Sequence, residues 1–97
     1  MHMPSETFYA IVGSTISHVR QERRFTQEKL AKAVNLDRTS ISNIEQGRQK
    51  MLLHSLYEIA NALGVEPFDL LPKKNILTEN NAINNYVSLI AYSDINK

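Results

Sequence analysis

Residues 26–47 constrain the fold of this chain most, because their pattern predicts two short helices joined by a tight turn. Leu30 and Val34 fall on one face of the first of these helices. Thr26 is its expected N-cap, since the threonine hydroxyl can accept a hydrogen bond from a first-turn N–H. Asn35 is expected to end it, because asparagine tolerates the left-handed backbone angles that a sharp turn needs.

The second of these helices is predicted over residues 38–46 and has a polar outward face. Asp37 is its expected N-cap, and the negative charge there complements the helix N-terminus. Ile41 and Ile44 fall together on the inner face at 100° per residue. The opposite face carries Thr39, Ser42, Asn43 and Gln46, with Arg38 to one side at the N-terminal tip.

An outward face of hydroxyl and amide groups with an arginine at its tip is suited to reading DNA. Asparagine can pair bidentately with adenine and arginine with guanine, and a threonine methyl can touch a thymine methyl, in a major groove that admits a helix. The alternative is an ordinary polar surface helix, although such helices more often carry Glu, Lys and Ala. The face therefore favours DNA binding.

The order of elements in residues 13–71 resembles the Cro/repressor type of helix-turn-helix domain found in phage repressors and many bacterial regulators. The chain departs from that pattern in two ways: Asn35 stands where glycine is often found, and residues 51–53 are more apolar than the usual loop. The points of resemblance are Ile16, Arg20, Thr26, Gln27, Leu30, Ala31, Val34, Ile41, Ile44, Glu45, Gly47, Leu56, Ile59, Ala60, Ala62, Leu63, Gly64 and Val65.

The resemblance implies an all-α, five-helix, lambda-repressor-like DNA-binding domain over residues 1–72, with the helix-turn-helix at about 26–47. It also implies that Arg20 and Glu45 form a partly buried ion pair fixing the angle of the recognition helix, rather than two unrelated surface charges. The residues expected to contact base edges are Arg38, Thr39, Ser42 and Asn43. Those expected to contact phosphates are Thr26, Gln27, Ser40, Gln46, Arg48 and Lys50.

The remaining helices follow from apolar spacing and from proline and glycine. The first helix is predicted from residue 5 or 7 to residue 23, and Gly13 inside it indicates close approach by a neighbouring helix. A fourth helix is predicted over residues 53–63, with Gly64 as its C-terminal stop. A fifth, short helix is predicted over residues 67–71, begun by Pro67 and ended by Pro72.

Residues 73–97 form a C-terminal extension rich in asparagine. Apolar residues at positions 83, 87 and 90, or at 82, 86 and 89, fit one stripe of a candidate sixth helix. A twin subunit is the economical partner for such a stripe. The alternatives are a disordered tail, a tail folded back on its own domain, and a segment that binds a different protein.

The charge of the chain is uneven, although its net value is only +1. Residues 20–50 contain eight basic and four acidic side chains, a balance of +4, whereas residues 51–97 have a balance of −2. The positive part coincides with the helix-turn-helix, where it is expected to attract phosphates.

Composition excludes several other classes of protein. The 97 residues are expected to form one domain, and the absence of cysteine rules out disulfides, thiolate metal sites and cysteine catalysis. No apolar run approaches the roughly 18 residues that are needed to span a bilayer, and no secretory segment is seen at the N-terminus. We therefore expect a cytoplasmic protein without membrane contact. His18 and His54 lack the spacing of metal ligands, and no catalytic motif is found, so we expect neither an enzyme nor a cofactor.

The sequence therefore predicts a sequence-specific regulator that binds double-stranded DNA as a homodimer at a palindromic operator. Its half-sites are expected about 34 Å apart, or a multiple of that. One alternative is an antitoxin or restriction-modification controller that regulates its own operon, with residues 73–97 of the antitoxin gripping a toxin. Another is a protein adaptor that uses the same fold.

Overall fold

The computed structural model describes residues 2–73, which contain four α-helices and one turn of 3-10 helix, and no strand. This part of the chain is all-helical, as the sequence predicts. The predicted C-terminal extension and its candidate sixth helix lie outside the described residues, apart from Lys73. The elements are α1 (Ser5–Glu22), α2 (Gln27–Ala33), α3 (Arg38–Glu45), α4 (Leu53–Leu63) and the 3-10 helix (Pro67–Leu70).

The predicted fifth α-helix is wrong, because residues 67–70 form a single 3-10 turn. The N–H of Glu66 donates to Asp69 Oδ2 at 3.1 Å, which closes the start of the turn. Leu71 then adopts an extended backbone, with φ −90° and ψ 153°. The residue before a proline is disfavoured in the helical region, so Pro72 stops the segment before a full α-helical turn can form.

Each α-helix is followed, within two positions, by a residue with left-handed backbone angles. Asn35 has φ 56° and Gly64 has φ 73°, as predicted for these two helix ends, and Gly47 has φ 74°. Arg24 has φ 61° after α1, which its sequence did not signal. The predicted Thr26 cap is confirmed, because its Oγ1 accepts from the N–H of Lys29 at 3.0 Å.

The helices enclose one apolar core, and α3 packs against both α1 and α2. Gly13 of α1 lies so close to α3 that an added β-carbon would be 2.8 Å from the carbonyl oxygen of Glu45. This close approach confirms the expectation for Gly13 and sets the end of α3 against α1. The buried apolar residues are Val12, Ile16, Leu30, Ala31, Val34, Ile41, Ile44, Leu56, Ile59, Ala60, Leu63 and Leu70.

Candidate nucleic-acid interface

Helix α3 has one face in the core and the other open to solvent. Ile41 and Ile44 are fully buried, whereas Arg38 and Thr39 are exposed at the N-terminal end. Ser42 and Asn43, further along the same outer face, are half-buried. The helix begins at a cap in which the Ser40 N–H donates to Asp37 Oδ1 at 2.7 Å. The Asp37 cap therefore fixes where the eight-residue helix begins, and the polar side chains of the helix face outward from the domain.

Two side chains of this outer face are hydrogen-bonded to each other. The Gln46 Nε2 donates to Ser42 Oγ at 3.0 Å, across one turn of helix. The Ser42 hydroxyl proton and the side-chain oxygen of Gln46, Oε1, stay available for other partners. The sequence placed both residues on this face but did not signal the bond between them.

Arg20 and Glu45 form a bidentate ion pair between α1 and the last residue of α3. Arg20 Nε lies 2.6 Å from Glu45 Oε2, and Nη2 lies 3.1 Å from Oε1. The Arg20 Nη1 also donates to the Phe25 carbonyl oxygen at 2.8 Å. The two side chains are only 12% and 4% exposed, so the pair is shielded from solvent. Paired donors on both carboxylate oxygens fix the angle as well as the distance between the two groups.

Gln27, the first residue of α2, extends this pair into a network of three side chains. Its Nε2 donates to Glu45 Oε1 at 3.0 Å, and the side chain is half-buried. The sequence predicted Gln27 as a phosphate contact and did not predict the bond to Glu45. The network joins α1, α2 and α3 at one carboxylate.

The other predicted phosphate contacts lie at the start of α2, in the first turn of α3 and just after α3. Thr26 is exposed and Ser40 is half-buried, while Gln46, Arg48 and Lys50 are exposed. The direction of the chain after α3 is fixed by two backbone bonds to the helix, from the N–H of Gly47 to Ile44 O at 3.1 Å and from the N–H of Arg48 to Asn43 O at 2.9 Å.

The N-terminal part of α1 supports this segment after α3. A β-carbon at Gly47 would lie 2.8 Å from Ala10 Cα, so the two backbones are in direct contact. The Lys50 Nζ lies 5.9 Å from the centre of the Tyr9 ring. Neither Tyr9 nor Ala10 could be predicted as a supporting residue, because contacts between residues about 40 positions apart leave no local pattern in the sequence.

The positive charge of residues 20–50 is at the surface. Seven of the eight basic side chains in this stretch are exposed, and the eighth, Arg20, is paired with buried Glu45. The buried pair is neutral as a unit, which leaves the excess positive charge to the exposed groups. This distribution is suited to an anionic polymer that runs across the surface.

The described residues hold no cluster suited to a metal ion. In residues 2–73 no group of three His, Asp or Glu side chains comes together. His18 pairs with Glu22 at 3.5 Å and His54 with Glu58 at 2.8 Å, each within one exposed helix face. Across the same residues, no helix has both the length and the apolar character that crossing a bilayer requires.

Taken together, four short α-helices and a supported polar helix face define a helix-turn-helix domain. The family model described as helix-turn-helix matches residues 16–70, which is more than half of the chain. The chain belongs to the Cro/repressor-type helix-turn-helix family of DNA-binding transcriptional regulators.

Similar proteins carry names from the same class. The chain is 34% identical over 71 residues to the immunity repressor protein of Bacillus phage phi105, covering 73% of this chain but about half (49%) of that repressor. It is 40% identical over 62 residues to the control protein C.BamHI of Bacillus amyloliquefaciens, covering 63% of this chain and 76% of that protein. The crystal structure of the restriction-modification controller protein C.AhdI from Aeromonas hydrophila is also similar, with a TM-score of 0.63, 28% identity, and coverage of 65% and 96%.

Proposed function

We propose that this protein is a cytoplasmic regulator that reads a specific sequence of double-stranded DNA with the outer face of α3. The observation that carries the proposal is the solvent-facing polar surface of α3, held from behind by the Arg20–Glu45 pair and Gln27. A helix supported at its inner face can enter a major groove without losing its position in the domain.

Base contacts are assigned to the N-terminal and central part of α3. Arg38 is exposed at the tip and has the fork of donors that pairs with guanine. Asn43 has the amide that pairs with adenine, and Thr39 offers a methyl group for thymine. Ser42, with its hydroxyl already accepting from Gln46, is the remaining base contact in this assignment.

Phosphate contacts are assigned to groups on both sides of that face. Thr26 and Gln27 at the start of α2 contact one stretch of backbone in this proposal, and Ser40, Gln46, Arg48 and Lys50 contact another. These contacts set the register of α3 in the groove and carry little sequence information themselves. Exposed Arg48 and Lys50 would also release counterions on binding, so affinity is expected to fall with added salt.

The short length of α3 supports a homodimer. Eight residues of helix extend about 12 Å, roughly a third of the 34 Å turn of DNA, so one domain reads only a few base pairs. A twofold dimer doubles the sequence read and requires an operator that is an inverted repeat. Light scattering on the full chain is expected to give twice the 11.1 kDa of one chain.

Selection of bound sites from random duplex DNA tests the proposed function. The full chain is expected to enrich an inverted repeat with half-site centres about 34 Å apart, or a multiple of that. The variant Asn43→Ala is expected to lose the preference at one position of each half-site. Asn61→Ala, at an exposed asparagine of α4, serves as the matched control and should enrich the same site as the unchanged protein. Failure to enrich any palindrome at low salt would favour the protein adaptor.

A narrower role, control of a restriction-modification operon, is favoured by the similarity to C.AhdI, which is named as a restriction-modification controller and is 28% identical to this chain. C.BamHI, at 40% identity, is named as a control protein. A controller of its own operon binds DNA upstream of its own gene. A footprinting experiment on that upstream DNA tests whether this chain does so. The antitoxin version predicts instead that a second protein is bound through residues 73–97 and is lost when those residues are removed.

A further inference from the structure

Ser42 and Gln46 are joined twice on the outer face of α3. The Gln46 Nε2 donates to Ser42 Oγ at 3.0 Å, and the backbone N–H of Gln46 donates to the Ser42 carbonyl oxygen at 3.1 Å. The two bonds hold both ends of the Gln46 residue, its backbone and its amide group. The next residue, Gly47, packs against Ala10 of α1, so the backbone at this point is also supported from outside the helix.

The direction of the side-chain bond decides which group Ser42 can offer to a ligand. A serine hydroxyl has one proton to donate and two lone pairs that accept. In α1 the hydroxyl of Thr15 donates its proton to the Ile11 carbonyl oxygen at 2.8 Å. Ser42 differs, because its oxygen accepts from Gln46. One lone pair of Ser42 is therefore engaged, and its proton is kept for a partner outside the protein.

The four bases of DNA differ in what they present to such a donor. In the major groove guanine, adenine and thymine each expose at least one acceptor, whereas cytosine exposes only its N4 amino donor. A hydroxyl that donates can therefore bond to three of the bases and has no acceptor on cytosine. Without the bond from Gln46, the Ser42 hydroxyl is free to rotate and to accept from the cytosine amino group.

We propose that Gln46 is a positioning residue that makes Ser42 a hydrogen-bond donor and so excludes cytosine from the base that Ser42 contacts. This role rests on the proposed function, in which Ser42 meets a base edge and Gln46 meets a phosphate. The phosphate favours the same arrangement, because phosphate oxygens only accept and the amide nitrogen has a second N–H to donate. One side chain thereby couples a phosphate contact to base reading.

Selection of bound sites from random duplex DNA tests this role with the full chain. Ser42→Ala identifies the base position that Ser42 contacts, as the position whose preference is lost. We expect the unchanged protein to disfavour cytosine there about fivefold, the value of one hydrogen bond. Gln46→Met has a similar length without an amide and should reduce this factor to about twofold or less. Gln46→Glu should make cytosine the preferred base, because the carboxylate accepts the Ser42 proton and leaves the hydroxyl only able to accept.

Two further variants separate this role from simpler effects of a new charge. Gln49→Glu makes the same change from amide to carboxylate at a half-buried residue after α3, and it should weaken binding without changing the preferred base. The double variant Ser42→Ala with Gln46→Glu should not prefer cytosine, because the hydroxyl that accepts from its amino group is gone. A cytosine preference in the double variant would mean that residue 46 reads the base directly and would overturn the proposal.

The outcomes for the unchanged protein and for Gln46→Glu distinguish this role from the proposed function. The same preferred base in both proteins would overturn the positioning role of Gln46 and leave the proposed function standing. Enrichment of no sequence by the unchanged protein would overturn both.

Nuclear magnetic resonance of the side-chain amides tests the bond itself without DNA. In the full chain, Ser42→Ala removes the acceptor, so the Nε2 proton signals of Gln46 are expected to move toward those of a solvent-exposed glutamine. Thr39→Ala removes a hydroxyl from the same exposed face and should leave these signals unchanged. Signals of Gln46 that do not move in Ser42→Ala would overturn the proposal, whatever DNA the protein selects.

Discussion

Gly13 of α1 lies directly against the carbonyl group of Ile44 near the end of α3, with no room for a side chain between them. The carbonyl oxygen of Glu45 is also close, at 2.8 Å from where a β-carbon would stand. The Arg20–Glu45 pair is one side of the same junction. The position of the proposed recognition helix therefore depends on α1, which contributes no predicted base contact.

Replacing Gly13 with alanine tests this dependence. Alanine favours an isolated helix over glycine by about 1 kcal/mol, so propensity alone predicts stabilisation. The collision with two backbone carbonyls is expected to outweigh that gain and to lower the free energy of unfolding by about 1–3 kcal/mol. Thermal unfolding measures the change. Ser14→Ala, at an exposed neighbour, is the control and should leave stability equal or slightly higher.

Glu45→Ala is expected to destabilise the fold by about 3–5 kcal/mol, because it leaves the Arg20 guanidinium shielded from solvent without its anion. Denaturant unfolding measures the change. Glu28→Ala removes a glutamate whose 3.9 Å pairing with Lys32 is exposed, and such pairs are worth about 0.3–0.5 kcal/mol. Similar losses of unfolding free energy in the two variants would show that the Arg20–Glu45 pair adds little to stability.

The left-handed backbone at Arg24 predicts a stabilising substitution. Left-handed angles cost an ordinary residue about 1–2 kcal/mol and cost glycine little, so Arg24→Gly is expected to stabilise the protein by up to about 1 kcal/mol. The neighbouring residue Arg23 has φ −85°, which any residue adopts without strain, so glycine relieves nothing there. Glycine at this position only increases the conformational freedom of the unfolded chain. Arg23→Gly should therefore be destabilising, and the opposite signs can be read from melting temperatures.

Asn43→Ala and Arg48→Ala are expected to separate base reading from phosphate binding. Removing the Asn43 amide should reduce discrimination at one base position by about 1–3 kcal/mol. Removing Arg48 should weaken binding to all sequences and lower the slope of log affinity against log salt by about 1. Titrations on selected and scrambled duplexes at several salt concentrations measure both. A salt slope unchanged by Arg48→Ala would remove that residue from the phosphate contacts.

Local patterns were sufficient to predict the four α-helices of the described residues. The bounds of α4 match the prediction, the caps at Thr26 and Asp37 form as expected, and Asn35 has the left-handed angles of the turn. These features depend on residues within four positions of one another, where propensity and capping act. The prediction of a fifth α-helix was wrong for an equally local reason, since a segment that begins at Pro67 and is stopped by Pro72 has room only for a four-residue 3-10 turn.

Contacts between distant residues could not be predicted from spacing. The bond from Gln27 to Glu45 and the supporting contacts of Tyr9 and Ala10 after α3 depend on how whole helices pack. Gly13 was a partial exception, because a glycine inside a helix already indicated a close approach. The Arg20–Glu45 geometry followed from resemblance to a family and not from any pattern in this chain.

The proposed function requires the outer face of α3 to meet base edges in a major groove. Replacing single guanines of the selected site with 7-deazaguanine removes a major-groove acceptor and leaves base pairing intact. We expect one such change per half-site to weaken binding by the unchanged protein about tenfold and to have little effect on binding by Arg38→Ala. Binding that tolerates every 7-deaza change, yet is lost when inosine removes the guanine amino group from the minor groove, would contradict it.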